Sequence, residues 1–465
     1  MATIALLLSL VGWCYLIRYR RLEGEKIGLA LGIALIWILI DLSRPVSLWF
    51  QSSWSLDTDQ VTAMEEGNPM NRTIALALLV FGVLILLKRN VNIGEFISAN
   101  QWLVCLYAFC LVSLIWSDLP FVGFKRWVRH LGAILFVLVL LTDRRGFRAA
   151  IIAFRYVAYI LLPASLVLIK YYPQLGRHYH GHFGELFLTG VTMGKNNLGA
   201  LCMISALFLL VEIHQQWTSG NRRSFITKGD LCLFGVAIWL LHKSHSATSL
   251  LGFIVGAATY WALGLKQLRR ARTPWMFSLV LVFTLIIPLG FYGVGLTGAG
   301  STLGSFVDLT GHGETFWGRT VLWKDVIDMV SNPLLGCGYE SFWLGERLEK
   351  LWDLYWWKPT EAHNGFVGVY ASLGLVGVGI LIGVIIQSYR RLFRLFVQDN
   401  ADEYARIGLA FLTAALLYNV TEYSFLGLTS MWLIILLVST RISLAPLDAS
   451  DALETSPTAP ELEPA

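Results

Sequence analysis

The stretch "TEAHNGFVGVYASLGLVGVGILIGV" (residues 360–384) sets Glu361, His363 and Asn364 at the mouth of a long apolar run. Histidine titrates near neutral pH, and with a carboxylate two residues away it can take up, hold or orient a proton. Four further clusters carry basic groups beside amides or hydroxyls. "WSDLPFVGFKRWVRH" holds Lys125, Arg126, Arg129 and His130; "TGVTMGKNNLGAL" holds Lys195, Asn196 and Asn197; "HKSHSATSLLG" holds Lys243, His245, Ser246 and Thr248; and "GHGETFWGRTVLW" holds Arg319. A guanidinium matches two phosphate oxygens at once, a lysine acts as a point charge, and a helix start adds free N–H groups and a favourable dipole. Together these groups suit a diphosphate on a lipid carrier. Each also has a plainer reading: Lys125, Arg126 and Arg129 pair with membrane phosphates, Lys195 and Asn196 cap a helix, and Arg319 decorates a surface helix. "HYHGH", with His178, His180 and His182, lacks the acid or cysteine partners of a metal site, so no metal is expected.

The elements that must position these groups are membrane helices. Of the 465 residues 56% are hydrophobic and 14% charged, well below the roughly 25% charged residues of an average soluble domain. Apolar runs fall near 3–17, 27–42, 73–87, 101–116, 130–141, 149–169, 196–213, 229–241, 248–265, 276–295, 364–387, 405–418 and 425–440. The expectation is an all-α integral membrane protein of about 12 or 13 transmembrane helices. The six cysteines are scattered, five of them within apolar runs, and suggest neither disulfides nor zinc. The opening segment reads as a first span, having no basic n-region.

Basic residues concentrate in one alternate set of short loops, around Arg18–Lys26, Lys88, Arg144–Arg148, Arg222–Lys228, Lys266–Arg272, Arg390–Arg406 and Arg441. That set is expected in the cytoplasm, with the other face periplasmic or extracellular. The net charge of +5 then records topology, and no nucleic-acid partner is implied. The expected organisation is 1–295 as N-terminal helices, 296–363 as one large outer loop, 364–440 as C-terminal helices and 441–465 as a disordered acidic tail. Within the loop, Val321, Leu322, Val326, Met329 and Val330 recur at helical spacing, predicting an interfacial helix on the bilayer. Its tryptophans, Trp317, Trp323, Trp352, Trp356 and Trp357, read mainly as interface anchors. Charges inside spans are scarce; Arg155 and Glu212 are expected to snorkel from span ends. That scarcity, and the lack of a visible repeat, speaks against a transporter.

The ordered series "WSDLPFVGFKR", "GKNNLG", "GRTVLW", "NPLLGCGYESF", "EAHNGFVGVYASLGLVG" and "NVTEYSF" resembles the O-antigen ligase and bacterial polysaccharide polymerase family, from about residue 100 to 440. The resemblance implies a multi-pass enzyme of the bacterial inner membrane with its active site facing the periplasm. It further implies glycosyl transfer from an undecaprenyl diphosphate-linked saccharide to a glycan acceptor, by inversion, with no metal, nucleotide sugar or other cofactor. By motif, Arg319 and His363 carry over as essential groups, and Arg126 as a diphosphate ligand. His363 takes a proton from the acceptor hydroxyl or orients it, with Glu361 as an alternative base. Where relatives place a basic residue after serine, this chain has Ala247, so Lys195, Lys243 or Arg129 supplies the further charge. "GKNNLG" and "NVTEYSF" look more like polymerases of exopolysaccharide, with the ligase as the alternative. A chain-length regulator or flippase is the accessory partner implied.

Overall fold

A computed structural model describes residues 27–50, 67–179, 186–220, 225–265, 313–398, 403–427 and 429–442. Helices dominate. In chain order they are α1 (Leu29–Asp41), α2 (Pro69–Lys88), α3 (Ile93–Ala99), α4 (Gln101–Val112), α5 (Pro120–Leu141), α6 (Phe147–Tyr171), α7 (Lys195–Thr218), α8 (Phe225–Lys243), α9 (Ala247–Gly264), α10 (Gly313–Asp328), α11 (Gly345–Leu354), α12 (Gly365–Gln398), α13 (Glu403–Thr421) and α14 (Ser430–Ser439). Among the described residues five helices are long and apolar enough to cross a membrane, or six if the bent pair α3 and α4 counts as one span. The expected runs 3–17 and 276–295, the first part of the large loop and nearly all of the acidic tail lie outside the described residues. The chain is an all-α integral membrane protein with one short antiparallel hairpin, β1 (Arg177–Tyr179) against β2 (Leu186–Leu188), pairing Arg177 with Leu188.

The centre of the bundle is α6, α7, α9, α12, α13 and α14. α7 is buried over its middle, from Leu198 to Glu212 with Leu210 half-buried, and α13 over most of its length. α2 is the opposite case: Leu76, Val80, Phe81, Leu84 and Leu87 all point outward, the pattern of a helix whose outer face meets lipid. α5 starts ten residues before the apolar run that signals it, at Pro120. Proline suits the first helical turn, and most of the stretch between the expected runs 101–116 and 130–141 is helix, carrying Arg126 and Arg129.

Arg155 and Glu212 do not snorkel. Both are buried with Asp230, between α6, α7 and α8. Arg155 Nη1 donates to Glu212 Oε1 at 2.9 Å, its Nε donates to Asp230 Oδ1 at 3.0 Å, and Arg148 Nη2 donates to Glu212 Oε1 at 2.9 Å. Tyr159 and Gln216 add hydrogen bonds to Asp230 at 2.9 and 3.0 Å. Two arginines balance two carboxylates, so the network is neutral, and its hydrogen bonds offset the cost of taking charge out of water.

α12 is broken at Gly374 (φ 64°, ψ −166°), a left-handed conformation natural to glycine. The backbone groups freed at the break are taken up by the preceding loop. Cys337 and Gly338 donate to the carbonyls of Ala371 and Ser372 at 3.0 and 2.9 Å, while Leu375 and Val376 donate to those of Pro333 and Leu334 at 2.9 and 3.1 Å. Irregular backbone at a membrane helix is tolerated where protein satisfies it in this way. "NPLLGCGYESF" is thus a plug seated in the helix, not a free loop.

α10 forms where helical spacing predicts it, with Leu322, Trp323, Val326 and Val330 buried and Val321 exposed. Its apolar face packs on protein: Cys337, Phe342, Leu351, Ala362, Val367 and Ala371 complete a second core. Each such buried side chain contributes roughly 1.5–3 kcal/mol. The tryptophans divide accordingly. Trp323 donates to the Ala362 carbonyl at 2.7 Å and Trp352 to that of Pro359 at 3.0 Å, as internal braces, whereas Trp356 is exposed; the Trp317 side chain lies outside the described residues.

Candidate active site

Asn364 Oδ1 accepts from the backbone N–H groups of Phe366 at 2.9 Å and Val367 at 3.1 Å. That is an N-cap, and it starts α12 at a fixed point. The residue before it, His363, sits at φ 48°, a left-handed conformation that histidine adopts more readily than most residues. With Ala362 tied to Trp323, the turn aims the His363 ring at two carboxylates: Nδ1 is 3.1 Å from Glu361 Oε1 and 3.4 Å from Glu422 Oε2. Trp357 lies beside the ring, centroids 5.9 Å apart.

Glu422, buried at the end of α13, is the hub. Its Oε1 accepts from Asn196 Nδ2 at 2.7 Å and Arg319 Nη2 at 3.2 Å. Arg319 Nη1 also donates to the Thr421 carbonyl at 2.5 Å, and the Thr421 hydroxyl meets that of Thr248 at 2.5 Å. One carboxylate therefore draws together the starts of α7 and α12, the end of α13 and the middle of α10, with α9 one contact away. Burial pushes the His363 pKa down, but hydrogen bonds and charge from Glu361 and Glu422 more than reverse this, raising it to about 9. The imidazolium is the resting form at neutral pH. Ligand atoms of Glu361, His363 and Glu422 lie within 4.8 Å of one another, a spacing a metal ion can bridge. His363 already meets Glu361 Oε1 and Glu422 Oε2, and Arg319 meets Glu422 Oε1, so a metal would compete with positive charge already at these carboxylates.

A second ion pair lies nearby. Arg126 Nη1 donates to Glu340 Oε2 at 2.8 Å, with Glu340 at φ 57° in the plug. Tyr339 anchors the plug: its N–H donates to Ser113 Oγ at 3.0 Å, its hydroxyl donates to the Leu426 carbonyl at 2.8 Å, and His130 Nδ1 lies 2.5 Å from that hydroxyl. Burial raises the Glu340 pKa, yet the basic side chains of His130, Arg126 and Arg129 outweigh burial and hold it below its ordinary value. The Tyr423 ring lies against Gly368 of α12, and burial, with charge from Glu340 and Glu361, pushes its hydroxyl well above its ordinary range.

Residues 231–382 match the family model described as O-antigen ligase. That match supports a likeness to the O-antigen ligase and polymerase-like family over this segment. No curated protein and no solved structure matches it. The matched segment contains Lys243, Arg319, Glu340, Glu361 and His363, while Arg126, Lys195 and Glu422 lie outside it.

The sequence-predicted residues fall into three groups. His363, Glu361 and Arg319 converge on one point. Arg126 sits in the second ion pair, with Arg129 a turn away on the exposed side of α5. Lys195, first residue of α7, places its ammonium 4.1 Å from the Phe187 ring centroid, and Lys243 is exposed at the last position of α8. The aligned position of the expected basic residue, Ala247, is the first residue of α9, whose cap is Ser246 accepting from Ser249 N at 3.4 Å. Sequence reasoning missed Glu422, Glu340, Asn196 as a ligand of Glu422, and Tyr423. The signal was present: "NVTEYSF" and "GYESF" each place one acid at the end of an apolar stretch, on the face that gathers the basic candidates.

Proposed function

We propose that this chain is a metal-independent, inverting membrane glycosyltransferase that joins undecaprenyl diphosphate-linked saccharide repeats at the periplasmic face of the bacterial inner membrane. The observation that carries the reading is the convergence of His363, Glu361, Arg319 and Glu422 at the N-terminus of α12. Glu422 and Glu340 hold the two arginine forks, Arg319 and Arg126, until a diphosphate displaces them as partner. The acceptor hydroxyl attacks the anomeric carbon from the face opposite the diphosphate, the C1–O bond to the diphosphate breaks, and the hydroxyl proton passes to a carboxylate. Glu361 takes that proton, because His363, with a pKa near 9, is already protonated at neutral pH. The imidazolium and Arg319 stabilise the charge that grows on the departing diphosphate. Lys195, Lys243 and Arg129 supply further positive charge to the donor.

The family description favours a second reading, in which the same donor chemistry transfers a finished glycan to lipid A core or another acceptor. A transporter of anions or lipid-linked saccharides could draw on the buried Arg155, Glu212 and Asp230, but each of these is neutralised and hydrogen-bonded within the bundle. The test is the lipid-linked and released glycan profile of cells lacking the chain, complemented by wild type, Arg319→Ala or His363→Ala at matched membrane levels. Accumulation of a single lipid-linked repeat supports polymerisation; accumulation of long lipid-linked chains moves the assignment to ligation. Full complementation by both variants would remove the site from the reaction.

A further inference from the structure

At the end of α12 remote from His363, a half-open groove of about 570 Å³ runs between α12 and the start of α4. Its deep wall is apolar, made by Trp102, Gly379, Ile382, Gly383 and Ile386, and its rim is Arg390, Arg391, Arg394 and Arg441. Among the described residues, no acidic one lines it. Arg391 is committed to the fold, donating to the carbonyls of Ser439 and Val438 at 2.6 Å each. The other three guanidiniums are exposed, and among the described residues they have no carboxylate partner. The Arg441 backbone, by contrast, is fixed: its N–H donates to Asn100 Oδ1 at 2.8 Å, and its carbonyl accepts from Asn100 Nδ2 at 2.7 Å.

An independent feature gives the depth of this rim. α3 meets α4 at 97° across Asn100, and α3 leaves Ile93 and Ile97 exposed. A short helix turned at right angles to a span, with apolar residues uncovered, lies in the plane of the membrane surface. Asn100, which holds Arg441, is the corner itself. The arginine rim thus lies at headgroup level, while the groove beneath it runs along α12 into the hydrocarbon.

We propose that this groove binds an anionic phospholipid, its phosphate held by Arg390, Arg394 and Arg441 and an acyl chain laid against Trp102, Gly379 and Gly383. Basic pockets between membrane helices recognise lipid phosphates through such charge complementarity. The two glycines give the chain its seat: a Cβ at Gly383 would run into the Trp102 ring, and one at Gly379 would stand in open space. A soluble phosphate would use the rim and leave the apolar wall uncovered. The acid-containing segment 443–465, which begins two residues after Arg441, would likewise satisfy the rim but offers only scattered leucines to the wall. The site shares no residue with the cluster around His363.

The test is native mass spectrometry of the full-length protein released from nanodiscs containing equal amounts of phosphatidylglycerol and phosphatidylcholine. Wild type is compared with Arg390→Gln/Arg394→Gln/Arg441→Gln and with a control, Arg144→Gln/Lys228→Gln, which removes exposed charge from the same end of the bundle. The expected result is retained phosphatidylglycerol on wild type and control, and a loss on the order of a hundredfold in the triple variant, since each arginine at an anionic surface contributes about fivefold. A Gly383→Leu variant, which fills the groove and keeps the arginines, is expected to lose the lipid as well. Unchanged retention in the triple variant, or equal retention of the two lipids, overturns the proposal. Release of the lipid by millimolar inorganic phosphate overturns it in favour of a soluble anion. A gain of bound lipid on deleting residues 443–465 overturns it in favour of the tail as resident occupant. Melting temperatures of all variants near wild type exclude loss through unfolding.

Discussion

Glu422 makes His363 and Arg319 a single electrostatic unit, each approaching a different oxygen of one buried carboxylate. Glu422→Gln keeps the shape but weakens both contacts, and turnover is expected to fall by about 10²–10³, as when one preorganised electrostatic group is lost. Arg319→Lys keeps the charge and loses the fork, and is expected to cost nearly as much; a near-wild-type rate for Arg319→Lys would mean that charge alone suffices. The raised His363 pKa has a stability consequence. A group whose folded pKa, about 9, exceeds its unfolded value of about 6.5 contributes fully below pH 6.5, and the contribution disappears as pH rises through 9. Wild-type thermal stability is therefore expected to drop between pH 7 and 10, and His363→Gln to flatten that drop. Turnover is expected to follow the same upper limb. Treatment with a chelator is expected to leave turnover unchanged; loss restored by a divalent ion would assign the Glu361, His363 and Glu422 cluster to a metal.

At the scale of elements, the break in α12 turns a membrane helix into a support for the site. The plug that satisfies Ala371, Ser372, Leu375 and Val376 also sets Tyr339 and Glu340 against α5. Gly374→Ala would force a Cβ against the Leu334 carbonyl in a left-handed backbone conformation. A loss of at least about 2 kcal/mol is expected, read as a lower melting temperature and as protease sensitivity around residues 333–340. Gly379→Ala in the same helix has open space for its methyl and is expected to be neutral or slightly stabilising. "NPLLGCGYESF" and Gly374 were both in view as sequence, yet hydropathy reads 364–387 as one uninterrupted run. A helix break satisfied by a distant loop leaves no period in the local pattern, because the compensating hydrogen bonds come from residues some forty positions earlier in the chain. The helix α10 shows the reverse case: its spacing predicted the buried face, but spacing is blind to whether that face meets lipid or Ala362 and Val367.

On the scale of the whole molecule, the two ends of the bundle are built differently. One end carries the partly exposed cluster of Arg319, Glu361, His363 and Glu422, the other the more deeply buried network of Arg148, Arg155, Glu212 and Asp230. Arg155→Met would leave Asp230 buried without its ion pair and is expected to cost about 3–5 kcal/mol, while Arg155→Met with Asp230→Asn recovers part of the loss. If the double variant folds and turns over lipid-linked donor normally, the network is a structural brace and has no transport role.

The sequence alone determined the material of this protein. Low charge and repeated apolar runs dictate a bundle of membrane helices, since only closed hydrogen-bonding structures survive in hydrocarbon, and the order of short motifs carried the resemblance to O-antigen ligases and brought Arg319, Glu361 and His363 forward. It left Glu422 and Glu340 unremarked and placed Arg155 and Glu212 in headgroup water. The reason is that a charge has no address in a one-dimensional pattern: a carboxylate at a span end looks the same whether it faces solvent or a guanidinium supplied from a hundred residues away. Arg319 and Glu422 meet, and Arg155 and Asp230 meet, only because α6, α7, α8, α10 and α13 pack side by side. Tertiary structure decided the partners, and with them which protons and charges the site holds at rest.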